Sequence, residues 1–324
     1  MKAIVYTEFG PPEVLRYVEM ARREPGDDEV LLRVRAASLN ALDWRLMRGR
    51  PFLARMVAGA LRHPRITPGV DVAGEIEAVG RRVVGFMPGQ AVFGTCRGTL
   101  ADYACALPER IAAKPANVSF EAAAAVPVAA TTALQGLRDK GGIRAGHRVL
   151  VDGASGGVGT FAVQIAKAFG AEVTAVCSTG NLAAARALGA DHVIDYTRED
   201  FADRPQRYDL ILAANAHRSI LDYRRALAPG GTCVMAGGGG YRILQALLLA
   251  PLLALSGRRW LRILFARIDR ADLDLLRDWL ADGRLVPAID RRYPLREAAE
   301  ALRYAAQGHA RGKVVVDVLR GGES

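Results

Sequence analysis

The chain has 324 residues, 51% of them hydrophobic and 24% charged, with 34 glycines and a formal charge of +10. That length holds one large or two medium domains, and that balance excludes a disordered chain. The basic excess is spread along the sequence among Asp and Glu, without a zinc finger, basic helix or aromatic-basic interleaving, so an enzyme with an anionic ligand is expected rather than a nucleic-acid binder.

In chain order, residues 2–6 and 14–20 read as strands around a proline turn. Residues 29–36 alternate apolar and polar and read as β. A short helix is expected after Ser38, and residues 50–62 read as loop or helix. A turn at Pro68-Gly69 feeds a strand to Val79, residues 91–93 form another, and 98–106 continue extended. The first 110 residues therefore read as a glycine-punctuated, mostly-β domain. Alanine-rich residues 120–140 follow, two helical segments divided by Pro127. Further on, helices are expected at 181–188, 219–228, 272–282 and 295–307. Strands are expected at 192–194, 208–212, 232–236 and 260–265, and a late one at 313–319.

The centre of the chain is residues 147–177. Residues 147–152 read as a buried strand, followed by Gly153-Ala154-Ser155-Gly156-Gly157-Val158-Gly159. A helix is expected to Phe169, then a strand over 172–177. Strand, glycine turn, helix, strand is the first half of a dinucleotide fold, in which glycines admit a pyrophosphate to the helix start. A tight βα turn in another α/β protein carries similar glycines, and the flanking elements favour the cofactor. The later alternation predicts a doubly wound parallel sheet. The second strand ends Val176-Cys177-Ser178-Thr179-Gly180-Asn181, without the carboxylate that an NAD site places on the ribose hydroxyls. Ser178, Thr179 and Asn181 can donate to a 2′-phosphate instead.

Cys96, Cys105, Cys177 and Cys233 form no CxxC pair, so no disulfide framework or structural zinc is expected. His63 and Cys96 offer two metal ligands and no third, so no metal is expected. The N-terminus lacks a signal-peptide core, and cytoplasm is the default. The apolar run 246–255 is too short to span a membrane. With the arginines and tryptophan after it, it allows weak surface association or, more simply, a packed helix.

The stretches Ala37–Asp43, Pro68–Gly74, Gly98–Tyr103, Pro127–Ala133, Gly153–Gly159, Leu188–Tyr196 and Arg311–Val315 together resemble the zinc-free branch of the medium-chain dehydrogenase/reductase superfamily. The nearest group is the quinone oxidoreductases of zeta-crystallin type, with the alkenal and enone reductases. The resemblance implies a GroES-like domain over 1–122, completed by 287–324, and a Rossmann nucleotide-binding domain over 123–286. It implies hydride transfer from a nicotinamide cofactor, often in a homodimer. The zinc relatives have a cysteine at the Asn40 position and Gly-His-Glu where this chain has Gly69-Val70-Asp71.

By the same resemblance Asn40, Asp43 and Thr131 line the nicotinamide pocket. Asn40 and Asp43 are also readable as an Asx turn or helix cap, Thr131 as a helix hydroxyl on backbone, and Asp71 as a turn-holding residue. Residues 153–159, Ser178, Thr179, Asn181, Tyr196, Asn215 and Arg311 are expected on the cofactor. The resembling NADPH enzymes hold the 2′-phosphate with a serine at Ser178, a tyrosine at Tyr196 and a basic residue where this chain has Gly180, so NADPH is expected over NADH by a reduced margin. His217 tempts as a proton donor but also reads as an inert loop residue. The expected activity is reduction of a quinone or activated alkene. The alternatives are a zinc-free alcohol dehydrogenase, another reductase of the superfamily, or a non-enzymatic NADPH-binding protein.

Overall fold

The structure, a computed structural model, describes residues 1–49, 65–238, 240–255 and 260–318. It divides into two units, Met1–Val128 with Ile268–Ser324, and Ala129–Arg267.

In the first unit β1 (Lys2–Val5) pairs antiparallel with β2 (Arg16–Glu19). The main sheet is built from β3 (Val30–Leu39), β4 (Asp71–Val79), β5 (Ala91–Thr95), β6 (Tyr103–Ala106), β7 (Ile111–Ala113), β14 (Ile289–Pro294) and β15 (Lys313–Asp317). Its order is β14-β15-β3-β4-β5-β7, with β6 also against β3. The late strand β15 runs antiparallel to β3, Val315 opposite Ser38. The core gathers Val30, Leu32, Val34, Val72, Ile76, Val92, Val314 and Val316 from the strands with Leu302 from a late helix. Helix α1 (Ala41–Met47) leaves the end of β3, and α2 (Phe120–Ala124) packs on β3 and β4. The strand therefore loses the simple in–out alternation of its sequence and is buried along nearly its whole length.

Helix α3 (Pro127–Gln135) continues into a wider turn over Gly136–Lys140. The second unit then builds six parallel strands: β8 (Arg148–Asp152), β9 (Glu172–Cys177), β10 (His192–Asp195), β11 (Tyr208–Ala213), β12 (Leu227–Met235) and β13 (Leu261–Ile263). Their order is β10-β9-β8-β11-β12-β13, so the chain reverses direction across the sheet between β8 and β11. Ligands of doubly wound folds bind beyond the strand ends at such a reversal. The helices of this unit are α4 (Gly157–Ala168), α5 (Leu182–Ala187), α6 (Ile220–Ala226) and α7 (Gly240–Leu255). Two more, α8 (Arg270–Ala281) and α9 (Ala298–Ala306), belong to the first unit, so the second joint falls ahead of α8 rather than near residue 286. The reason is packing: α8 lies on β7.

Some local expectations change. Helix α6 stops at Ala226 and the chain runs as strand through Pro229-Gly230-Gly231, with a register shift against β11. β7 and β14 were not foreseen, and residues 50–62 lie outside the described residues. The apolar run falls in α7, whose Ala246, Leu249, Ala250 and Leu253 pack into the core of the second unit. Among the described residues no helix is long and apolar enough to cross a membrane.

Candidate active site

Strand β8 ends at Asp152, and Gly153 turns the chain with a φ of 82°, a conformation that favours glycine. A Cβ on Gly153 would lie 2.8 Å from that of Asn215, and one on Gly159 would lie 2.1 Å from the Gly153 carbonyl oxygen. Packing therefore requires both glycines, the second for close approach of α4 to the turn. Gly156 differs: a Cβ there would meet only the Gly153 oxygen, at 3.5 Å. It is the N-cap of the 12-residue helix α4 and offers no side-chain cap. Ala154 is buried and donates its N–H to Val176, while Ser155, Gly157 and Val158 stay half-buried along the turn. An uncapped helix start with open space above a glycine suits a diphosphate. The Thr131 hydroxyl on α3 is buried without a hydrogen-bond partner among the described residues, so it is not the backbone-bonded helix hydroxyl of the alternative reading. A buried orphan hydroxyl asks for a ligand, and a carboxamide supplies one. These residues of the second unit fit a nicotinamide dinucleotide.

Asn215 lies beside the turn, its backbone N–H donating to the Asp152 carbonyl. The Asp152 carboxylate is buried and accepts from the Tyr223 hydroxyl at 2.5 Å. Burial pushes its pKa up to about 6, opposed by the Tyr223 hydrogen bond and by the charges of His217 and Arg218. His217 is exposed, and its charge acts on Asp152.

At the end of β9, Asn181 donates to the Ser178 hydroxyl at 3.0 Å. Thr179 donates to Asp195, which also accepts from the Thr197 hydroxyl and backbone. Asp195 is opposite Cys177 in the parallel pair β9–β10, so a carboxylate stands beside this loop although none ends β9 itself. The Thr179 and Thr197 hydrogen bonds hold its pKa below the usual range. Arg198 lies 3.6 Å from it and is 75% exposed, as Tyr196 is 52% exposed. Thr179, expected to donate to a 2′-phosphate, gives its hydroxyl proton to Asp195 in this structure.

The first unit holds a separate buried polar cluster. Asp71 and Ser38 are fully buried, Asp43 is 3% exposed and Lys313 2%. Asp71 Oδ2 accepts from Ser38 Oγ at 2.8 Å, Asn40 Nδ2 at 2.8 Å and Lys313 Nζ at 3.2 Å. Its Oδ1 accepts from the backbone N–H of Val128 at 3.0 Å. Lys313 also donates to Asn40 Oδ1 at 2.7 Å. Asp43 accepts the Asn40 backbone N–H at 2.7 Å, which fixes the start of α1. Burial pushes the Asp43 pKa up to about 7; its bond to Asn40 and the charge of Lys313 oppose this, and the charge of Asp71 adds to it. Only Asn40 among these five side chains is half-buried rather than buried.

Asp71 thus does more than hold a turn, and Lys313 was missed. Its signal was a lysine ahead of the valine run 314–316 in the strand Lys313–Asp317. Arg311 uses its backbone N–H on Asp290. Cys96 is buried, which pushes its thiol pKa up, and His63 lies outside the described residues. Among the described residues no group of three His, Cys, Asp or Glu could hold a metal ion.

A family model described as alcohol dehydrogenase GroES-like domain matches residues 26–116, and one described as zinc-binding dehydrogenase matches residues 188–316. The chain is 34% identical to the 2-methylene-furan-3-one reductase of Solanum lycopersicum, over 98% of this chain and 79% of that protein. Its fold is similar to the quinone oxidoreductase of Coxiella burnetii, with a TM-score of 0.86, 30% identity and coverage of 98% and 99% of the two chains. It is also similar to a mycobacterial protein complexed with NADPH, with a TM-score of 0.81, 25% identity and coverage of 98% and 100%.

Proposed function

We propose, on the premise that this chain belongs to the zinc-free quinone-oxidoreductase branch of the medium-chain dehydrogenase/reductase superfamily, that it is an NAD(P)H-dependent reductase of quinones or activated alkenes. The observation that carries the reading is the glycine turn. Two of its glycines are demanded by packing, and Gly156 is left clear at an uncapped helix start. Residues 153–159 with Asn215 are to hold the dinucleotide, and the Thr131 hydroxyl its carboxamide. When bound, a reduced nicotinamide supplies hydride. The chain's own part is orientation and charge stabilisation. Asn40 is assigned as donor to the substrate oxygen that gains negative charge, and Asp43 as the residue that fixes the backbone under it.

We read the cofactor preference as NADPH over NADH by a narrow margin. Ser178, Tyr196 and the exposed charges of Arg198 and Arg311 favour a 2′-phosphate, while ionised Asp195 opposes it. We also read the protein as a cytoplasmic homodimer. Four free thiols suit a reducing compartment, and β13 has a strand partner on one side only among the described residues. Steady-state assays with 1,4-benzoquinone, 3-buten-2-one and simple alcohols test the activity. NADPH oxidation by either of the first two is expected. Turnover of alcohols alone, or tight NADPH binding with no hydride transfer to any of them, overturns the reading.

A further inference from the structure

Lys313 is the only lysine or arginine among the fully buried described residues. Burying an ammonium and a carboxylate together costs several kcal/mol per ion unless hydrogen bonds and geometry compensate. Here they do, and Asn40 lies in the middle of the arrangement. A lysine only donates and a carboxylate only accepts. The amide of Asn40 therefore has one permitted orientation, with Oδ1 on the Lys313 ammonium and Nδ2 on Asp71. One Nδ2 hydrogen is used by Asp71 and the second remains. A charged donor on the oxygen of an amide draws electron density from its nitrogen and makes the remaining N–H a stronger donor.

We infer that Lys313 is a positioning and polarising residue for the reduction. Its ammonium acts through the Asn40 carboxamide, fixing which end of the amide faces the substrate and strengthening the N–H that meets the developing oxyanion. This rests on the role given to Asn40 above. The lysine itself stays buried and touches neither substrate nor cofactor.

The test is a cycle of Lys313→Gln, Asn40→Ala and the pair, assayed with NADPH and 1,4-benzoquinone or 3-buten-2-one. Lys313→Gln keeps a hydrogen bond to Asn40 and removes the charge. It is expected to lower kcat by about tenfold, with KM and the NADPH dissociation constant changed much less. In the Asn40→Ala background the same change is expected to cost nothing further. Lys313→Arg should restore most of kcat. The pKa of 4-nitrophenol bound to the NADP⁺ form, read by its visible absorbance, should rise in Lys313→Gln, a readout that needs no turnover. If Lys313→Gln does not fold, Lys313→Gln with Asp71→Asn removes both charges and is judged by the same criteria. A wild-type kcat, or an equal loss with and without Asn40, overturns the inference alone. Unimpaired Asn40→Ala overturns the role of Asn40 and the inference with it.

Discussion

Asp43 shows how one residue can matter to folding apart from chemistry. A free aspartate titrates near 3.9, whereas burial raises Asp43 to about 7. The folded chain thus binds this proton more tightly than the unfolded chain does. Its contribution to stability is full below about pH 4 and is lost as pH rises toward 7. Asp43→Asn keeps the shape and an acceptor for the Asn40 N–H but cannot ionise. Its unfolding free energy is expected to match that of the wild type near about pH 4 and to exceed it near about pH 8, by an amount on the order of 4 kcal/mol, with a correspondingly higher melting temperature. Thermal melts across that range check this; a constant gap means that Asp43 does not titrate there. The resemblance of Ala37–Asp43 to the family made Asn40 and Asp43 visible in the sequence. Their buried partners Asp71 and Lys313 are contributed by β4 and β15, and no local pattern links them.

At the scale of elements, the glycine turn separates packing from binding. Gly159→Ala gains helix propensity of about 1 kcal/mol. The added Cβ, however, meets backbone at 2.1–2.8 Å, which cannot give way cheaply. A net loss of about 2 kcal/mol in unfolding free energy is expected, because overpacking against backbone exceeds the propensity gain. Gly156→Ala meets nothing closer than 3.5 Å, so stability without cofactor should stay within about 1 kcal/mol. Its methyl group enters the space given to the diphosphate, and NADPH binding should weaken by about tenfold or more. Melts and fluorescence titrations of the two variants should therefore move in opposite columns. Unchanged NADPH affinity in Gly156→Ala would show that the dinucleotide does not lie over that glycine. Helix α7 makes a related point: its apolar composition alone left packing and surface association open, and the structure packs Ala246 with partly buried Leu249 and Leu253 on the core while Leu244, Leu247 and Leu248 stay exposed.

For the whole molecule the telling quantity is the difference between two cofactors. A ligand that binds only the folded state stabilises it by RT ln(1 + [L]/Kd), about 2.7 kcal/mol at a hundredfold excess over Kd. NADPH should raise the melting temperature more than NADH at equal concentration and salt. The gap should be modest, because Thr179 is committed to Asp195 and no basic residue stands at Gly180. It should shrink as salt rises, since the 2′-phosphate contact is electrostatic and partly exposed. An equal or larger shift with NADH defeats the preference.

The periodicity and punctuation of the chain determined the two kinds of architecture, the parallel sheet and the glycine turn within it. Those depend on hydrophobic period, turn residues and helix starts, which are local properties carried by neighbouring residues. Motifs likewise marked Asn40, Thr131 and Gly153–Gly159. Only the tertiary structure decided what surrounds them. It set Asp195 beside Thr179, because consecutive strands joined by a helix lie side by side in the parallel sheet. It left Thr131 without a partner, and it brought β15 back to β3 so that a lysine near the end of the chain meets Asn40 near its beginning. Hydrogen-bond partners and burial belong to pairs of distant residues, and a single sequence does not record which strands will be adjacent.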